Sequence, residues 1–273
     1  CYNPSQEAVM MEILQNVLKM MDRQMRTPQV FGWFHIASLI LTVLVTVGLC
    51  YHHKNDSPKR VRLVVLATAV LVTLAEIYKQ INYSFSYENG IVFDFQWYAF
   101  PFQFCSTPMY IGLLAAVIRG KSLHEHLCSY LATYALVAGI CVMAYPSTVF
   151  IDTVGINIQT MIWHGSMITV GIVLLRTGYI TATLKTVIRA LPVFLILVLT
   201  AVAMNEIAYQ TGLLESETFN MFFISPYCAP ELPVYSQIQG IVAFPFSVLI
   251  YVAGFTAASG IIMLLSKVFH ISS

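Results

Sequence analysis

Apolar residues in this chain run in long blocks separated by short polar breaks. Val30 to Tyr51, Val61 to Tyr83, Leu127 to Tyr145, Ile156 to Leu175, Val187 to Tyr209 and Val234 to Leu265 each reach or exceed the ~17–25 residues that carry a helix across the hydrocarbon core. A further apolar run follows the aromatic stretch Phe93 to Phe104 and ends before Arg119. The pattern predicts an all-α polytopic membrane protein with about seven transmembrane helices. Glu7 to Arg23 reads differently. Met10, Ile13, Leu14, Val17, Leu18 and Met21 recur at helical spacing, with Lys19, Arg23 and Arg26 on or near the polar side. That is an amphipathic helix lying at the membrane surface. Two regions result: residues 1–28 as the interfacial segment and 29–273 as the transmembrane domain.

Composition strengthens this picture. Of 273 residues 58% are hydrophobic and 10% charged, and the mean hydropathy is +0.75. A soluble domain carries about 25% charge, so this much apolar surface has to face lipid. The net charge of +1 gives no support for nucleic acid as a partner; the expected partner is the bilayer itself. Six scattered cysteines form no CxxC or CxxH pair, so neither a metal nor a cofactor is expected.

Loop charges predict the orientation. Lys54, Lys59, Arg60, Arg62, Arg119, Lys121, Arg176, Lys185, Arg189 and Lys267 follow the odd-numbered spans. The loops after the even-numbered spans hold Glu88, Asp94, Asp152, Glu215, Glu217 and Glu231 and no Lys or Arg. Positive loops stay inside, which puts the C-terminus in the cytoplasm and the N-terminus outside, in a multi-pass protein of the plasma membrane. The basic residues of the N-terminal helix oppose this assignment but are outnumbered. Cys1 and Cys228 both fall outside, where a disulfide is chemically allowed.

Polar residues within the spans then gather in the outer half. They are His35, Glu76, Lys79, Gln80, Gln103, Cys105, Asn157, Gln159, His164, Asn205, Glu206, Gln237 and Gln239. An ionised group facing lipid costs roughly 2.5 kcal/mol or more, so these residues should face one another or a wet pocket. Asn157, Gln159 and Gln237 sit close enough to the interface to be helix glue or interfacial groups. Glu76, Lys79, His164, Asn205 and Glu206 lie deeper and mark the pocket, although Glu76 and Lys79, three apart, also suit simple mutual neutralisation.

The segment Ala99-Phe-Pro-Phe-Gln-Phe-Cys-Ser-Thr-Pro108 carries the most chemistry. Pro108 cannot sit inside a helix and suits a first turn, with Thr107 as its N-cap. A helix beginning there covers only about 17 Å by Ile118, too little to span. The chain before it must be irregular backbone at membrane depth, tolerated only inside protein or beside a cavity. Cys105 stands at this break, close to a helix N-terminus that favours thiolate and oxyanion. His164, at similar depth on another helix, is the candidate base of a Cys–His acyl-transfer pair. The alternative is a cysteine acting as small apolar filler and a satisfied core histidine.

At these residues the chain resembles the YwaF family of integral membrane proteins. The marks are His35 in FGWFHIASLI, Glu76 in LAEIYKQINY, the Gln-Phe-Cys-Ser around Cys105, His164 in IWHGSM and Asn205 in VAMNEIAYQTG. A mammalian branch resembling that family moves polyunsaturated acyl chains onto ether phospholipids. The resemblance implies Cys105 as nucleophile, His164 as base, Asn205 and Glu76 as orienting or substrate-binding groups, and membrane phospholipid or lysophospholipid as substrate. Lys79, Gln103, Glu206 and His35 complete the expected pocket. Where the family has Pro-Leu-His before Cys-Ser, this chain has Pro101-Phe-Gln-Phe, and Gln103 supplies hydrogen bonds but no proton.

Two rival readings remain open. A transporter or a lipid- or small-molecule-binding protein also suits a broken span over a half-membrane pocket, although no inverted repeat is visible. A pigment protein holding retinal is excluded because span seven has no Lys, whereas a haem between His35 and His164 is compatible with the spacing.

Overall fold

A computed structural model describes residues 4–53, 57–88, 90–212, 218–229 and 232–268. Cys1, Lys54, Glu215, Glu217, Pro230 and Glu231 lie outside them, and with them the Cys1–Cys228 pairing; Cys228 is a free thiol.

The described helices are α1 (Pro4–Met21), α2 (Trp33–His52), α3 (Pro58–Ser84), α4 (Thr107–Val117), α5 (Lys121–Tyr130), α6 (Leu136–Ala144), α7 (Val154–Arg176), α8 (Leu184–Thr211), α9 (Pro233–Gln239) and α10 (Phe244–Val268). A π-helical turn, Leu131–Ala135, joins α5 to α6 in one rod. Among the described residues six helices are long and apolar enough to cross a membrane: α2, α3, the α5–α6 rod, α7, α8 and α10. The chain is an all-α polytopic membrane protein. The segment expected as the third span is instead the short α4, preceded by a 3-10 turn at Phe104–Ser106. The expected final span divides. Gln237 and Gln239 belong to α9, and the chain restarts at Phe244 after Gly240–Ala243.

The α5–α6 rod and α7 are the centre of the bundle and bury most of their length. Close approach is set by small residues. A Cβ on Gly139 would stand 2.9 Å from Met167 Cβ, and one on Gly171 2.9 Å from Leu136 Cβ, so α6 and α7 meet nearly backbone to backbone. The outer helices turn apolar side chains outward. Leu41 and Leu44 of α2, Ile188 and Ile196 of α8, and Leu249 and Ile261 of α10 are all exposed, as a lipid-facing surface requires.

Helix α1 starts earlier than its apolar repeat suggested; among its described side chains Leu18 is buried, while Val9, Met10, Ile13, Leu14 and Met20 are exposed. It is held at its C-terminal end. Tyr78 Oη donates to the Met21 carbonyl at 2.6 Å, and Tyr87 Oη to Asp22 Oδ2 at 2.8 Å. That second bond pushes the Tyr87 phenol above its ordinary pKa. The following strand-like stretch pairs with the start of α7, where Met25 N donates to Asp152 O and Val154 N to Arg23 O.

Candidate functional site

The Pro101–Ser106 segment, ending in the 3-10 turn, is non-α backbone inside protein, and four of its carbonyls have identified donors. Tyr110 Oη donates to Pro101 O at 2.8 Å. Ser106 N donates to Gln103 O at 2.8 Å. Thr107 Oγ1 reaches back to Phe104 O at 2.8 Å. Trp163 Nε1 donates to Cys105 O at 2.5 Å. Non-helical backbone at membrane depth persists only with such partners. The N-cap of α4 is Ser106 rather than the expected Thr107. The Thr107 hydroxyl is engaged elsewhere, 2.6 Å from Tyr130 Oη as well as on Phe104 O.

Phe104 anchors the segment sideways. It stacks on Phe222 and lies against Phe194 and Phe255. Cys105, the next residue, is a free thiol that is only partly buried. His164 is buried, and its two ring nitrogens differ. Nδ1 lies 2.8 Å from Thr160 O, so it carries the proton, while Nε2 has no hydrogen-bond partner. The free Nε2 lone pair is the feature expected of a base. No hydrogen bond joins it to the Cys105 thiol. The link between them is indirect: Trp163, beside His164, holds the Cys105 carbonyl.

Glu76 and Lys79 do pair, at 2.8 Å, with Glu76 almost fully buried. Gln80 Nε2 donates both to Glu76 Oε1 and to Ala99 O, at 2.8 Å each, and so ties the carboxylate to the Cys105 segment. Glu76, Gln80, Ser84, Pro101 and Met109 line a groove of about 390 Å³. It lies on the flank where Ile77 is exposed.

Other expected site residues have their polar groups occupied. Gln103 Nε2 donates to Asn220 O, and Gln103 Oε1 accepts from Phe222 N, both at 3.0 Å. Asn205 clamps Met221 in the same way, accepting from its N–H at 2.7 Å and donating to its carbonyl at 3.0 Å. Together they hold a loop in which Phe222 and Phe223 have φ near +60°, a left-handed conformation that needs support in non-glycine residues. Glu206 stands at the rim, where it accepts from Tyr227 Oη at 2.6 Å and Gln210 Nε2 at 2.7 Å. That bond raises the Tyr227 pKa. His35 accepts from Phe31 N at Nδ1 and lies 2.8 Å from Met143 O at Nε2, which leaves no nitrogen for a haem.

Sequence reasoning passed over Trp163 and Asn220. The tryptophan precedes His164 inside IWHGSM, but its target is a backbone carbonyl, which leaves no mark in a sequence. Asn220 lies in a loop whose fold depends on Gln103, 117 residues away.

Six lipid-crossing helices and a short helix hung from side-chain-capped backbone define a multi-pass membrane protein with a polar site inside the bundle. A family model, the TMEM164 family, matches residues 30–264, and the chain belongs to that family. No curated protein matches the chain, and no solved structure does.

Proposed function

We propose that this protein transfers acyl chains between membrane lipids through Cys105, with His164 as base. The observation that carries the reading is the buried His164 ring with an unpartnered Nε2, one residue from the tryptophan that fastens the Cys105 backbone. The YwaF-like motifs around both residues support it, as does the groove beside Glu76 that reaches the lipid flank. In the first half-reaction Cys105 Sγ gives its proton to His164 Nε2 and attacks the ester carbonyl of a phospholipid. The S–C bond forms, the ester C–O bond breaks, and the proton passes to the departing lysophospholipid oxygen. In the second, an acceptor hydroxyl gives its proton to Nε2 and attacks the thioester, restoring the thiol. Lys79, held by Glu76, supplies positive charge for the oxyanion of each step. Gln103 and Asn205 act on the surrounding loop, keeping the Cys105 segment in place. Catalytic hydrogen bonds are often long before substrate arrives, and the sulfur and ring would close on the bound ester. With the N-terminus outside, the site serves the outer leaflet of the plasma membrane.

Intact-protein mass spectrometry after incubation with phospholipid tests this. Wild type should gain an acyl mass that hydroxylamine removes, and Cys105→Ala should not. Transfer of labelled acyl chain between lipids at an undiminished rate by Cys105→Ala would eliminate the mechanism. Movement of unaltered lipid across the bilayer would favour a transporter.

A further inference from the structure

A second groove lies on another face of the bundle, away from Cys105. Its volume is about 730 Å³, and its walls come from α2, α7 and one residue of α3. That is within the ~300–1,000 Å³ of ordinary ligand pockets. Phe34, Leu41, Val45, Leu71, Ile158 and Ile162 make it apolar. Three of the hydroxyls in its walls are already used. Ser38 donates to Phe34 O, Thr42 to Ser38 O and Thr169 to Gly165 O, so these three ask nothing of an occupant, and Ser166 adds one small hydroxyl to a largely apolar wall. The groove is shaped for hydrocarbon.

One end is different. Arg23 and Gln24 close the mouth. The Arg23 backbone is fixed there by Val154 N at 2.9 Å, its side chain is exposed, and no carboxylate among the described residues pairs with its guanidinium. From Val154 to Thr169 the α7 wall runs about 22 Å, longer than the roughly 15 Å depth of one leaflet's hydrocarbon. An exposed guanidinium without a carboxylate partner, on backbone pinned over an apolar channel, complements the phosphate of a lipid head group.

We propose that this groove binds one phospholipid, its phosphate on Arg23 and one acyl chain along α2 and α7. The site is separate from the acyl-transfer centre and does not depend on it. The test uses the Cys105→Ala protein, so that no acyl-enzyme contributes. The purified chain in detergent is incubated with phosphatidylcholine or with diacylglycerol of the same acyl chains, and retained lipid is read by native mass spectrometry. Phosphatidylcholine should be retained one per chain and diacylglycerol at least tenfold less. Arg23→Glu should lower phosphatidylcholine occupancy at least fivefold while Arg23→Lys keeps most of it. Ala37→Trp, which fills the channel from α2, should lower it as well; Leu41→Trp serves if that variant does not fold. Equal retention of diacylglycerol, or unchanged occupancy in Arg23→Glu, would overturn the proposal and leave a lipid held by its chains alone.

Discussion

At the scale of single residues, the polar groups of this protein mostly serve backbone. Asn157 exchanges two hydrogen bonds with Ile151, Asn205 two with Met221, and Gln103 one each with Asn220 and Phe222. Each amide supplies one donor and one acceptor, which is what a stretch of unpaired peptide requires. His164 departs from this pattern, since its buried Nε2 has no hydrogen-bond partner, a state that Gln80 Oε1, His124 Nδ1 and Asn220 Nδ2 share among the described residues. Asn205→Ala strands the Met221 N–H and carbonyl in a buried position, at a cost of about 1–3 kcal/mol. A thermal melt in detergent should show the midpoint lowered by several degrees. Asn205→Asp restores the acceptor but not the donor and should fall between. A melt indistinguishable from wild type would mean the loop is held by its aromatic packing alone.

At the scale of elements, α4 and the α6–α7 seam follow opposite logics. Helix α4 is too short to cross, and its entry depends on side chains borrowed from α5 and α7. The seam depends on side chains being absent. Gly171→Val would drive carbon into Leu136 and should destabilise by about 1–3 kcal/mol through overpacking. Gly48→Ala is the control, because a Cβ there meets nothing within 4 Å. Loss of folded yield in the first and not the second is the expected outcome, and comparable behaviour of the two would refute the close seam. The short helix was legible in the sequence because Pro108 forbids a continuous helix. The π-helical turn at Leu131–Ala135 was not, since those residues read as ordinary apolar helix.

At the scale of the whole molecule, the bundle has two ends that differ in charge. Ser86 is exposed at the end that carries Cys105, and Lys121 at the opposite end. The loop charges predict that the basic end faces the cytoplasm, and on that orientation a membrane-impermeant thiol reagent on intact cells should label Ser86→Cys above the parent protein. Lys121→Cys should gain label only after permeabilisation. The reverse pattern would turn the molecule over and place acyl transfer in the inner leaflet.

Hydrophobicity is a local property, so six apolar spans and the break before Pro108 could be read along the chain, whereas the division of the last apolar run into α9 and α10 could not. Convergence is not local. Cys105 and His164 were legible as candidates because a thiol beside a helix start and an intramembrane histidine are each unusual on their own. Tertiary packing alone decided that Trp163 fastens Cys105, that Gln103 and Asn205 serve a distant loop, and that His35 is a structural tie to Met143. Hydrogen bonds to backbone carbonyls depend on which segments fold together, and any residue type offers the same carbonyl.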